Sequence, residues 1–301
     1  METLFCGGCG DQVREHCAGS LATAGVKKVH WECWSHCNLR CSFCYRTTGE
    51  PLLTDEAVRL LRALRTGGAN SVVFAGGDPS LRMDLPLLVS CAENIGLTPI
   101  VHTNAHHTSE SLWSAYRRCD HIGLSLDSPI ADGHDKMRGR RGNFDRVVGA
   151  LARCDREGVR VSVRTMVSAV NVHEVHRIGP LLENHPCVHS WKLLQFSAIE
   201  LGWTNRGVHE LPFPEFAHAF TRARETYSGS LEMLANSEKV DAYLMVSPDG
   251  FAYGVTLDES IRDGRHRRVG SFLTEHLSTL AGGVRIDPRR HDQHTEYERH
   301  L

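Results

Sequence analysis

Three cysteines stand close together in the run Cys37-Asn38-Leu39-Arg40-Cys41-Ser42-Phe43-Cys44-Tyr45. Spaced by three residues and then by two, they can wrap one loop around a cubane iron–sulfur cluster and leave one iron without a protein ligand. That open iron is a place for chemistry. The same thiols also suit a zinc knuckle, or three unrelated cysteines in a chain that has eleven. Residues further along the chain separate these readings.

Next comes Phe74-Ala75-Gly76-Gly77-Asp78-Pro79, whose paired glycines let the backbone approach a ligand that any β-carbon would block. Alone, this run passes for a turn. His102-Thr103-Asn104 and Ser125-Leu126-Asp127-Ser128 place polar groups at two further strand ends, where turn and cap roles fit them nearly as well as ligand contacts. Arg138-Gly139-Arg140-Arg141-Gly142-Asn143 offers a guanidinium for a carboxylate, with Arg138 the candidate and Arg140 and Arg141 read as solvated charges. His106 and His107 lie near enough to Asn104 to act as acid or base, or to be plain loop residues. No Gly-x-Ser-x-Gly elbow, His-Glu-x-x-His helix or phosphate loop is present.

A second metal site is a further expectation at Cys6, Cys9 and Cys17, where Cys6-Gly7-Gly8-Cys9-Gly10 has the look of a zinc knuckle. Its remaining ligands would come from His16, Cys17 and Cys33; an auxiliary iron–sulfur site or a flexible arm with reactive thiols are the other readings. Cys91, Cys119, Cys154 and Cys187 read as core or structural thiols, and no cysteine follows Cys187.

The elements that must position these residues alternate between strand and helix. Strands are expected near Val29 to Cys33, Ser71 to Ala75, Pro99 to Thr103, His121 to Leu126, Val159 to Thr165 and Trp191 to Phe196. Thr54 can cap a helix carrying Val58, Leu61 and Leu64 and ending at Gly67-Gly68; Asn143 can start another with Phe144, Val147, Val148 and Leu151 before Gly158. Six such βα units predict an α/β fold, a partial (βα)6 TIM-type barrel whose strand-end loops share one mouth. Beyond Phe213 a helix to about Tyr227 precedes two strand-like runs joined by Ser247-Pro248-Asp249-Gly250, a C-terminal extension that closes the open side.

The expected division is a cysteine-containing arm over 1–25, a barrel core over 26–210, the extension over 211–286 and a mobile, charged tail over 287–301. With 301 residues, 41% hydrophobic, 23% charged and a net charge of −2, the chain reads as one large-cored soluble protein without a nucleic-acid-binding field. No run is apolar enough to span a bilayer and the start lacks a secretory pattern, so membrane association is not expected and a cytoplasmic location is.

The cysteine spacing with Tyr45 beside the last cysteine, followed by the glycine run, resembles the radical S-adenosylmethionine (SAM) superfamily. The resemblance implies a [4Fe-4S] cluster on Cys37, Cys41 and Cys44, and SAM chelated to the open iron and cleaved reductively to a 5'-deoxyadenosyl radical that takes hydrogen from a substrate. It further implies SAM contacts from Gly76, Gly77, Asp78, Thr103, Asn104, Ser125, Asp127 and Arg138, with Trp34, Phe43 and Tyr45 shielding the cluster. Most relatives have Glu at Asp78.

The order Gly123-Leu124-Ser125-Leu126-Asp127-Ser128, Arg138-Gly139-Arg140, Val170-Asn171-Val172, Trp191-Lys192-Leu193-Leu194-Gln195, Ala235-Asn236-Ser237 and Asp241-Ala242-Tyr243-Leu244 resembles viperins, which dehydrate nucleoside triphosphates. Viperins carry Lys at Ser71 and Ser162 and Asn at Arg164; of that basic set Lys192 is kept. The substrate site implied is Arg164, Lys192 and Gln195, holding a small-molecule nucleotide or nucleoside with less charge than a triphosphate. Nucleoside-antibiotic or nucleotide-sugar enzymes of the tunicamycin type are the alternative, and an inactive metal-binding scaffold or sensor the alternative of another class. A reductase, flavodoxin or ferredoxin is the expected electron donor.

Overall fold

The computed structural model describes residues 26–239, 242–254 and 268–273, with 280, 284, 286, 287, 289 and 291. The arm over 1–25, with His16 and the candidate zinc ligands Cys6, Cys9 and Cys17, lies outside the described residues, as do all but 287, 289 and 291 of the tail. Ten strands form one sheet: β1 (Lys28–Trp34), β2 (Ser71–Gly76), β3 (Thr98–Thr103), β4 (Ile122–Ser125), β5 (Val161–Val167), β6 (Val188–Gln195), β7 (Leu231–Leu234), β8 (Leu244–Val246), β9 (Phe251–Gly254) and β10 (Arg268–Ser271). Their order is β10-β9-β8-β1-β2-β3-β4-β5-β6-β7, and β8 through β7 in that order run parallel.

The six expected strands are therefore present as one parallel run, an open sheet of partial-barrel kind. β7 joins its β6 edge, unforeseen in the sequence, while the expected hairpin of β8 and β9 adds to the β1 edge. The strands that flank the six-strand run, β7 and β8, approach each other across the barrel interior, where Leu234 of β7 and Met245 of β8 line the same cavity.

Alternation along the strands sorts the two faces. Val29, Trp31 and Cys33 of β1, Val161 and Val163 of β5 and Trp191 and Leu193 of β6 turn outward into the main core, against helices Thr54–Thr66, Leu85–Asn94 and Asn143–Glu157. A strand covered on both faces tends to be apolar throughout. Here the inward positions instead carry His30 and Glu32 on β1, Arg164 on β5 and Lys192 on β6, which reserves the interior for chemistry.

Local devices differ in detail from expectation. Thr54 is the first helical residue rather than the cap: its hydroxyl donates to Asp84 (2.7 Å), while Glu56 reaches back to accept from the Leu53 N–H (2.9 Å). Helix Asn143–Glu157 starts where Asp135 accepts from Gly142 N and Phe144 N, and stops at Gly158 in the left-handed region (φ 68°). His291, within the stretch expected to be mobile, is buried; its Nε2 accepts from Lys27 N (2.8 Å) and Lys28 N (3.1 Å), pinning the entry to β1. A charged composition does not reveal such a single anchor.

Glu32 ties the chain after the cysteines to the extension. Its carboxylate is buried among Thr47, whose N–H and hydroxyl both donate to it, and Tyr253 of β9, whose hydroxyl donates at 2.8 Å. Burial raises its pKa against the pull of these bonds. Tyr253→Phe removes one donor from a buried acceptor and is expected to cost about 1–3 kcal/mol, read as a lower urea midpoint at unchanged slope.

Candidate active site

The turn after β1 is clasped to the end of β2. Gly77 N donates to Trp34 O (2.6 Å) and Asp78 N to His36 O (2.9 Å). A β-carbon on Gly76 would sit 2.3 Å from Trp34 O, and one on Gly77 2.1 Å from His36 O; Gly76 also has φ 117°. The glycine pair is thus required first by the backbone that launches the cysteine loop, a reason different from the ligand approach expected of it.

The loop itself packs as a small apolar cluster at the mouth, with Leu39, Cys41 and Phe43 against Met137, Met166, Leu194, Phe196 and Leu234. Around it runs a chain of polar ties. Arg40 N donates to Arg138 O (3.1 Å), Ser42 bonds His209 Nε2 (2.7 Å), and Asn205 Nδ2 donates to Ser42 O (2.9 Å). Asn104 Nδ2 donates to Asn38 Oδ1 (2.8 Å) and stands 3.6 Å from Cys37 Sγ.

Cys37, Cys41 and Cys44 line one cavity of about 840 Å³ that opens to solvent, together with Gly76, Gly77, Thr103, Asn104, Ser125, Arg138 and Arg164. Three thiols in the wall of one cavity, in apolar surroundings, fit a cubane bound at three corners with a ligand beside the fourth. Burial pushes all three thiols up, Cys41 to about 11 against the opposing pull of Arg138, so a metal must displace protons to bind there.

Other expected residues stand behind this wall. Asp78 is fully buried, and its carboxylate accepts from Ser80 N (2.8 Å), Thr103 Oγ1 (3.0 Å) and Asn104 N (2.8 Å), so it braces the end of β3 and does not line the cavity. Burial raises its pKa despite these bonds. Asp127 likewise lies behind, accepting from Met166 N (2.9 Å) and paired with Arg138 Nε at 2.5 Å. Arg138 does reach the cavity: its Nη1 is 3.9 Å from Cys41 Sγ and its guanidinium lies 5.1 Å from the Phe43 ring centre. Burial alone would lower its pKa, and the charge of Asp127 outweighs that and raises it.

The expected substrate residues separate. Ser125, Arg164, Lys192 and Glu232 lie level with one another across β4, β5, β6 and β7. Lys192 is buried and ion-paired to Glu232 (3.0 Å), outside the cavity. Gln195 is also spent internally, donating to Leu211 O (2.9 Å) and accepting from Asn236 N (3.0 Å). Lys192 departs from expectation because strand β7 brings Glu232 beside it, and Gln195 because residues on either side of β7, Leu211 and Asn236, take up its amide. Arg164 alone of the three lines the cavity.

Sequence reasoning passed over Lys239, at the end of the short helix Asn236–Lys239. Its ammonium donates to Gln195 O, Ser197 Oγ (3.0 Å) and Asn236 Oδ1 (3.1 Å) and lines a second cavity beyond Arg164. His106, offered as an acid or base, instead accepts from Arg140 Nε (3.1 Å) and does not line the cavity. Phe43 and Tyr45 line the cavity, whereas Trp34 packs toward the core beside Arg82.

The sequence family described as Radical SAM superfamily matches residues 31–178, which carry the cysteine loop, the glycine clasp and Arg138. The chain belongs to the radical SAM superfamily. Among curated relatives, an Fe-coproporphyrin III synthase of Methanosarcina barkeri is 32% identical over 52% of this chain and 40% of its own length. Two proteins named S-adenosylmethionine-dependent nucleotide dehydratase, the viperin-like branch, match more of the chain: that of Lacinutrix mariniflava is 25% identical over 80% of this chain and 53% of its own, and that of Flammeovirga pacifica 26% identical over 75% and 81%. The chain spans about half the length of the first curated relatives it matches. In fold it is similar to Streptococcus suis SuiB bound to S-adenosylmethionine, with a TM-score of 0.68 at 14% identity over 88% of this chain and 70% of that one.

Gly77→Ala is expected to destabilise the protein by about 1–3 kcal/mol through forced displacement of the Trp34–His36 backbone, and to lower the iron retained after anaerobic reconstitution to below half of wild type. Gly149→Ala, where a β-carbon would meet nothing within 4 Å, is the control and should retain iron in full.

Proposed function

We propose that the chain is a radical SAM enzyme acting on a small, nucleotide-like molecule. The observation that carries this reading is a shared cavity: Cys37, Cys41 and Cys44 line it together with Gly76, Thr103, Asn104, Ser125 and Arg138, and it meets a second cavity at Arg164. A [4Fe-4S] cluster held by the three cysteines would supply the electron that cleaves SAM and yields a 5'-deoxyadenosyl radical.

The chain's own residues then have defined tasks. Arg138, fixed by Asp127, turns the outer end of its guanidinium toward the cavity, where it can pair with the carboxylate of SAM. Thr103 and Asn104, held by Asp78, and Ser125 at the end of β4 offer polar groups to the ribose and amino ends. Gly76 and Gly77 present backbone. Phe43, Leu39 and Met166 keep water from the reacting atoms, which protects a radical from quenching.

The nucleotide-like class is supported by the two nucleotide dehydratase relatives, which cover 80% and 75% of this chain against 52% for the coproporphyrin relative. The proposed division follows function: barrel over 26–210 for SAM and an extension from 211 that completes the substrate side with Lys239 and Tyr243. Reduction would come from a reductase, flavodoxin or ferredoxin, in the cytoplasm. Among the described residues no helix is long and apolar enough to cross a membrane.

The test is anaerobic reconstitution with iron and sulfide, then incubation with SAM and dithionite. Wild type should release 5'-deoxyadenosine and methionine; Cys37→Ala, Cys41→Ala or Cys44→Ala should abolish release, and Arg138→Gln should raise the KM for SAM about tenfold or more. A protein that binds cluster and SAM yet forms no 5'-deoxyadenosine with any of the nucleosides or nucleotides would be the scaffold of the alternative reading.

A further inference from the structure

Beyond Arg164 lies a second cavity of about 640 Å³ that shares Tyr45, Arg164, Met166 and Leu194 with the cavity of the cysteines. Its far side carries His30 of β1, Leu234 of β7, Lys239, Tyr243 and Met245 of β8. Resting on the radical SAM reading, we propose that this cavity is a single-anion subsite, in which Arg164 grips one compact anionic group of the substrate, a phosphate monoester or a carboxylate, with Lys239 as a tethered cation behind it.

Charge accounting around the two cavities supports one anion and not a polyphosphate. Lys192 is neutralised by Glu232 and Arg138 by Asp127. Arg46 lines only the first cavity and donates to Ser35 O. The Arg164 guanidinium has no carboxylate partner among the described residues, and it lines both cavities. Its planar fork can take two oxygens of one carboxylate or phosphate. A triphosphate would bring three phosphates to one open guanidinium and one lysine.

Lys239 is held rather than free to swing. Three acceptors, Gln195 O, Ser197 Oγ and Asn236 Oδ1, fix its nitrogen at the cavity edge. Burial, and then the charge of Arg164, push its pKa down to about 7, with Glu238 pulling weakly upward. The other titratable groups on this lining are His30 from β1, Tyr45 after the cysteine loop and Tyr243 before β8. An arriving anion favours the ammonium form, so binding takes up a proton. Affinity is then full below about 7 and falls as pH rises through the higher pKa of the complex.

The test is binding, not turnover, on the reconstituted protein with SAM present, by isothermal titration with sulfate, acetate, uridine, UMP and UTP. Sulfate stands for the phosphate ester and acetate for the carboxylate, and neither titrates between pH 6 and 8. Wild type should bind at least one of these two anions, the tighter identifying the source. Arg164→Gln should weaken that anion about tenfold or more, while Arg164→Lys recovers part of the loss and shows that the variant site is folded. Affinity should fall several-fold from pH 6 to pH 8 in wild type and stay level in Lys239→Gln. If the phosphate ester is the group, UMP should outbind uridine and UTP should gain less than tenfold over UMP.

Absence of anion binding, Arg164→Gln equal to wild type, or UTP more than tenfold tighter than UMP overturns the subsite. A pH profile that persists in Lys239→Gln assigns it to His30 and overturns the role of Lys239. Because anion binding needs no 5'-deoxyadenosine, failure of the subsite and failure of the radical reading are seen separately.

Discussion

Everything at the mouth of this barrel depends on a backbone clasp. Two hydrogen bonds, Gly77 N to Trp34 O and Asp78 N to His36 O, fasten the turn leaving β1 onto the end of β2, and they exist because neither Gly76 nor Gly77 carries a β-carbon. From the clasp the polar ties spread outward. The Asp78 carboxylate, placed by its own clasped N–H, holds Thr103 and Asn104; Asn104 reaches back to Asn38 beside Cys37. Net hydrogen bonds of this kind are worth only about 0.5–1.5 kcal/mol each, but leaving their buried partners unpaired costs more, so the network stands or fails together.

Electrostatics then divides the interior into balanced and unbalanced charge. Asp127 with Arg138 and Glu232 with Lys192 are buried pairs, and such pairs position groups more than they stabilise the fold. Arg138 keeps one end toward Cys41, which places a cation beside a thiol that burial otherwise keeps protonated. Among the described residues Arg164 is a cation without a carboxylate partner at the seam of the two cavities. Such a cation gains its counter-charge when an anionic ligand arrives, which is the physical basis for the proposed substrate seat.

Much of this was legible in the sequence, for reasons that particular residues make plain. The cysteine loop is readable because ligand spacing is local, and the six central strands because Val, Trp and Phe recur between turn signals. Leu231-Glu232-Met233-Leu234 is not readable as β7, having four residues and no β-branched side chain. With β7 hidden, so is Glu232, and Lys192 then reads as an open cation when it is a neutralised one. The engagement of Gln195 is hidden for a related reason, since its partners Leu211 and Asn236 come from the extension, far along the chain. Lys239 follows Asn236-Ser237-Glu238 and reads as surface charge; only the fold shows three acceptors around its nitrogen. The glycine pair was found for its type, while its reason, the close approach of Trp34 and His36 backbone, is a tertiary fact.

The proposed chemistry requires Cys37, Cys41 and Cys44 to hold a cubane with a vacant corner for SAM. Electron paramagnetic resonance of the reduced, reconstituted protein, taken before and after addition of SAM and compared with the Cys37→Ala/Cys41→Ala/Cys44→Ala variant, decides this. The wild type should give a spin-half signal, absent from the variant, whose g values shift when SAM binds the open iron. A signal that survives loss of the three cysteines, or one that SAM leaves unmoved, rules the cluster site out.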